Sequence, residues 1–183
     1  MLPLLPFALL IAGCDRQDSA SRQAEPAANA AEAPGQAQAG GLDRGQAGKA
    51  APDIPFRNEE GEETSLAEFS GKPVLLNLWA TWCAPCIKEL PTLEALSKRE
   101  GAPQLVALSQ DMQPPATVSR FLDRRRIGLE AFQDSDMAMS SALGVNILPT
   151  TVLYGSDGKE IWRYSGDLDW TGPQAAKLLA EAR

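Results

Sequence analysis

Val74-Leu75-Leu76-Asn77-Leu78-Trp79-Ala80-Thr81-Trp82-Cys83-Ala84-Pro85-Cys86 is the stretch on which the fold turns. It opens as a nearly continuous apolar run, bounded upstream by Gly71-Lys72-Pro73. A run of that kind fits a strand covered on both faces. Past the two cysteines, Ile87, Leu90, Leu93 and Leu96 or Ser97 recur at helical spacing. The pattern predicts a helix over 84–99, kinked at Pro91. A buried strand leading into a helix, with Cys83 and Cys86 at the junction, places two sulfur atoms at a helix N-terminus.

Working outward, 104–109 reads as a second buried strand, and a polar helix with Arg124, Arg125 and Arg126 follows. Ser135 is placed to cap a short helix ending at Leu143. The segments 150–154 and 159–164 flank Gly155-Ser156-Asp157-Gly158, a strong hairpin signal. Residues 170–182 read as a closing helix. Upstream, Asn58-Glu59-Glu60-Gly61-Glu62 reads as a turn between two short extended pieces. Strands alternating with helices indicate an α/β fold. The expected form is a central mixed sheet flanked by helices, with an N-terminal extended hairpin and a second hairpin at one edge.

Three segments follow from composition. Residues 1–13 carry an apolar run with the length of a signal-peptide core, short of the about 20 residues that span a bilayer. Ile11-Ala12-Gly13-Cys14 resembles a bacterial lipobox, which makes Cys14 the expected site of lipid attachment. Acyl chains anchor through about 0.8 kcal/mol per buried CH₂. Asp15 after the cysteine resembles an inner-membrane retention signal, while the first basic residue is Arg16. Residues 14–51 are dominated by Ala, Gln, Gly, Pro and Ser and read as a flexible tether with a reach of roughly 30 Å. The folded domain is expected over 52–183.

The 183-residue chain has a net charge of −7, which argues against nucleic acid or an anionic surface as a charge-driven partner. It has no histidine, which removes Cys–His and Ser–His catalysis and most zinc and copper sites. No cofactor and no metal are expected beyond a redox-active Cys83–Cys86 disulfide.

At a helix start the orphan N–H groups and the macrodipole favour negative charge. The thiolate is the attacking species in disulfide exchange. Cys83 is therefore expected just before the first turn, exposed, as nucleophile. Cys86 is expected one turn inside, more buried, as the resolving thiol. Pro85 falls where its missing N–H leaves nothing unpaired. Two other readings of a CxxC stand beside this one: half of a zinc site, for which Cys14 is the one remaining thiol, or a purely structural disulfide. Glu89 lies three residues after Cys86 on the same helix face. Shielded there, its pKa rises and it can move the proton of Cys86. Spacing alone fits a solvated helix glutamate equally well.

The run from Gly71 to Cys86, with Glu89-Leu90-Pro91 after it, resembles the TlpA/ResA/DsbE-like branch of the thioredoxin superfamily. The resemblance covers the chain from about Pro52 onward. It implies a thioredoxin fold and a catalytic role for Cys83, Cys86 and Glu89. Asn77 stands where ordinary thioredoxins carry a buried aspartate, so the resemblance puts the acid on the helix. Ile147-Leu148-Pro149-Thr150-Thr151 resembles the family's cis-proline loop; without the family, a trans proline opening a strand fits as well. The resemblance implies substrate contacts at Trp82, Ala84, Pro85, Leu148 and Pro149.

It also implies a thiol:disulfide oxidoreductase on the far side of the cytoplasmic membrane; with the lipobox-like segment at Cys14, the expectation is a lipid-anchored monomer on the periplasmic side of the bacterial inner membrane. Such proteins are recharged by a membrane thiol-transfer protein. They reduce client disulfides in cytochrome c or copper-site maturation. A disulfide oxidase or isomerase, and a copper-handling assembly protein, remain alternatives.

Overall fold

A computed structural model describes residues 41–182. The expected signal segment, Cys14 and most of the expected tether lie outside the described residues.

The elements are β1 (Gly41–Asp43), β2 (Phe56–Arg57), β3 (Glu63–Thr64), a 3₁₀ turn at Leu66–Phe69, β4 (Val74–Trp79), α1 (Ala84–Ser97), β5 (Gln104–Ser109), α2 (Pro115–Arg125), β6 (Phe132–Gln133), α3 (Ala138–Leu143), β7 (Thr150–Tyr154), β8 (Glu160–Ser165) and α4 (Pro173–Leu179). The strands form one mixed sheet in the order β1-β8-β7-β4-β5-β6-β2-β3.

β4 holds the centre, with all of its residues buried. β5 pairs with it in parallel and β7 antiparallel. Side chains alternate across a strand. Leu75 and Trp79 therefore enter a core with Leu90 and Leu93 of α1 and Leu178 of α4. Val74, Leu76 and Leu78 enter a second core with Phe56, Phe132 and Met139. A fully buried side chain of this size stabilises by about 1.5–3 kcal/mol. Asn77 shares the parity of Leu75 and Trp79, so the alternation turns this polar residue onto the α1 face. Parallel strands need a crossover, and α1 supplies it between β4 and β5. The N-terminus of α1 thus lies just beyond the carboxyl end of the central strand.

Three expectations change, and one strand is added. The expected tether ends earlier than residue 51, because β1 pairs with β8 (Leu42 opposite Tyr164) and Ala50 bridges Lys159. Strand pairing uses main-chain groups, so a segment poor in large apolar residues can still cover a sheet edge. The closing helix is shorter than 170–182: Asp169 Oδ1 accepts from Thr171 N at 2.9 Å, a turn that competes with helix, and α4 starts only after Gly172. The helix before Leu143 is capped by Asp134 rather than Ser135, with its two carboxylate oxygens accepting from Ala138 N at 3.0 Å and Met139 N at 2.8 Å. Met137, at φ 53°, makes the extra turn that shifts the cap. β6 was not expected, since two residues carry no readable periodicity.

Candidate active site

Cys83 is the N-cap of α1, in extended backbone (φ −88°, ψ 100°), with Pro85 in the first turn. It is joined to Cys86 by a disulfide, with the Cα atoms 5.3 Å apart. The Cys83 sulfur accepts from Cys86 N at 3.3 Å. On reduction, that N–H and the positive helix end are the groups that meet a Cys83 thiolate.

The expected exposure of Cys83 is corrected. It is 5% exposed, against 0% for Cys86. As the N-cap of a packed helix, bonded back to Cys86, its sulfur belongs to the core beneath the helix end. The surface around it is made by Trp82, Ala84 and Pro85, which are all exposed. Cys86 is the more buried of the two, as expected.

Glu89 is not a solvated helix glutamate. It is 2% exposed and held from three sides. Oε1 accepts from Asn77 Nδ2 at 2.7 Å. Oε2 accepts from Trp170 Nε1 at 3.1 Å and from Leu168 N at 3.2 Å. Burial pushes Glu89 up to about 7, against the pull of the hydrogen bonds from Asn77, Trp170 and Leu168. A carboxyl group that titrates near neutrality is matched to general acid–base work. Asn77 is itself set by a second bond, Nδ2 to Thr151 Oγ1 at 2.9 Å, from its register partner on β7. Lys88 points away to the surface and pairs with Asp167 at 2.7 Å.

The turn that carries Trp82 is pinned by Asp111. Its carboxylate accepts from Thr81 Oγ1 at 2.6 Å, Thr81 N at 2.8 Å and Ser109 Oγ at 2.6 Å. The Leu148–Pro149 peptide bond is cis. Leu148 and Ile147 line a groove of about 320 Å³ together with Trp82, Gln110, Met137 and Ser140. The groove therefore joins the residue before Cys83 to the residue before Pro149. Trp82 and Met137 are large apolar residues left 69% and 44% exposed at its rim.

A CxxC disulfide on a helix N-terminus, a buried acid one turn later and a cis-proline loop beside an apolar groove form one constellation. The Redoxin family profile matches residues 46–179. The thiol-disulfide oxidoreductase ResA of Halalkalibacterium halodurans is 33% identical over 125 residues, covering 67% of this chain and 70% of that protein. ResA of Bacillus anthracis is 32% identical over 124 residues, covering 67% of this chain and 71% of that one. The chain belongs to the Redoxin family, in its TlpA/ResA/DsbE-like branch.

The fold is that of thioredoxin. The crystal structure of a thiol:disulfide interchange protein DsbE from Chlorobium tepidum superposes with a TM-score of 0.64 at 26% identity, covering 75% of this chain and 98% of that one. This redoxin is a thiol–disulfide oxidoreductase. Among the described residues no cluster of His, Cys, Asp or Glu could hold a metal ion, and no helix is long and apolar enough to cross a membrane.

Of the site residues expected from sequence, the structure brings Cys83, Cys86 and Glu89 onto one helix end, with Trp82, Ala84 and Pro85 around them. Leu148 is half-buried and Pro149 is buried. Four residues of the site were not singled out: Trp170, Leu168, Thr151 and Asp111. Trp170 reaches Glu89 across 81 positions and Thr151 reaches Asn77 across 74, distances at which local spacing carries no signal. Thr151 becomes legible once β4 is aligned with β7. Asp111 lies two residues past the end of a buried strand, where a carboxylate would prompt a search for donors.

Proposed function

We propose that this redoxin is an extracytoplasmic reductant of protein disulfides, acting in cytochrome c or copper-site maturation. In this reading Cys14 carries a lipid anchor that holds the monomeric domain on the periplasmic side of the inner membrane. A membrane thiol-transfer protein restores the dithiol. The reading is supported by the family resemblance, by relatives named ResA, and by the lipobox-like Ile11-Ala12-Gly13-Cys14. The observation that carries it is the pairing of the Cys83–Cys86 disulfide with the buried Glu89 one turn further into α1.

In the reductive direction the Cys83 thiolate attacks a client disulfide. One client sulfur leaves as a thiolate, and a Cys83–client disulfide forms. Cys86 then gives its proton to Glu89 and attacks Cys83 Sγ. The enzyme disulfide closes and the second client thiol is released, so two electrons pass from the enzyme dithiol to the client disulfide. Trp82, Ala84, Pro85, Leu148 and Pro149 contact the client, whose extended chain lies along the Leu148 backbone.

The deciding measurement is the reduction potential of the Cys83–Cys86 couple. A value near about −270 mV supports a reductant, and one near about −120 mV overturns that direction in favour of an oxidant.

A further inference from the structure

We propose that Trp170 is a positioning residue for this chemistry: its indole N–H holds Glu89 as the proton acceptor for Cys86. The proposal rests on the reading above, in which Glu89 handles that proton.

Trp79, Trp162 and Trp170 are all fully buried. Their indole N–H groups are used differently. Trp162 Nε1 donates to a main-chain carbonyl, Leu178 O, at 3.2 Å, as a packing residue does. Trp79 Nε1 has no hydrogen-bond partner. Trp170 Nε1 alone of the three donates to an ionisable group, Glu89 Oε2, at 3.1 Å.

The segment bearing Trp170 is fastened to the same turn of α1. Trp170 N donates to Thr92 Oγ1 at 3.2 Å, and Thr92 Oγ1 donates to Glu89 O at 2.8 Å. Leu168 N donates to Glu89 Oε2 at 3.2 Å, and Lys88 Nζ meets Asp167 Oδ2 at 2.7 Å. Residues 167–170 are thus registered on 88–92 by four contacts, two of which, from Leu168 N and Trp170 Nε1, end on the Glu89 carboxyl group.

The groups around Glu89 leave Trp170 a distinct part. α1 offers Cys86 and, at the surface, Lys88. The loop before α4 offers Asp167, whose charge disfavours a carboxylate. β4 and β7 offer Asn77 and Thr151, which are uncharged. In so buried a place, each N–H donor favours the ionised acid, which is the form able to take a proton.

The step concerned is the second. The Cys86 thiol proton passes to Glu89, and the Cys86 thiolate attacks Cys83 Sγ. The Cys83–client S–S bond breaks, and the client sulfur leaves with the electron pair and is protonated by solvent.

Trp170→Phe keeps the ring and removes the donor. Glu89 then holds its proton to higher pH. The midpoint for client release should rise by about one unit, slowing release several-fold at pH 7 and restoring it by pH 9. First attack, measured in a Cys86→Ser background, should not change. In the unaltered full chain, the indole ¹⁵N–¹H resonance of Trp170 should titrate with Glu89 and stop titrating in Glu89→Gln. A pH-invariant indole resonance, or an unshifted midpoint in a folded Trp170→Phe, overturns the proposal. If the dithiol reduces no protein disulfide, the reductase reading fails, and the indole titration by itself decides whether Trp170 holds the acid.

Discussion

The side-chain amide of Asn77, on the central strand, donates a 2.7 Å hydrogen bond to Oε1 of Glu89 on α1. This contact places a neutral donor where a second acid would compete with the first. Asn77→Asp sets two carboxyl groups against each other in a buried place, and like charges so close do not both ionise. We expect the midpoint for client release to rise by more than one pH unit. We also expect stability to fall by about 3 kcal/mol at pH 8 and to recover towards pH 5, where the pair holds its protons. Urea unfolding at the two pH values checks this; equal losses at both would refute it.

Glu89 couples stability to pH in a defined direction. Its pKa is raised from 4.5 to about 7 in the folded protein, chiefly by burial. The folded state therefore holds the proton more tightly than the unfolded state. Its contribution is complete below about 4.5 and is lost as pH rises towards 7. Glu89→Gln has no such loss. Relative to the unaltered protein, it should gain about 2–3 kcal/mol of stability between pH 4.5 and pH 8. Parallel denaturation curves at all pH values would contradict this. The same variant should release client at least tenfold more slowly at neutral pH, with first attack unchanged.

The two cysteines should fail differently. Cys83→Ser should abolish exchange with protein disulfides, because the sulfur at the helix N-terminus is lost. Cys86→Ser should still attack and then stall as a mixed disulfide that mass spectrometry detects. Accumulation of the adduct on Cys86 in the Cys83→Ser protein would reverse the assignment.

Asp111 supports the site without belonging to the chemistry. Its carboxylate takes the N–H and hydroxyl of Thr81 and the hydroxyl of Ser109. Asp111→Ala leaves those donors without a charged acceptor. A loss of about 3 kcal/mol is expected, together with faster amide exchange at Thr81 and Trp82. Unchanged exchange there would show that the turn is held by other contacts.

Local sequence was sufficient where one residue's neighbours along the chain are also its neighbours in space. The apolar run at Val74–Trp79 fitted a strand covered on both faces, and the i, i+3 spacing of Cys83, Cys86 and Glu89 placed all three at one helix end. The hairpin signal at Gly155-Ser156-Asp157-Gly158 was equally local and stands between β7 and β8. Tertiary structure decided the rest. It recruited Gly41–Asp43 to a sheet edge through main-chain groups that composition does not report. It withdrew Cys83 from solvent by seating it on the core. It also turned Glu89 from a glutamate of ambiguous surroundings into a buried acid, because its donors arrive from β4 and from a loop about eighty residues away. A side chain's charge state depends on what surrounds it in three dimensions, and those surroundings exist only after the sheet has brought distant segments together.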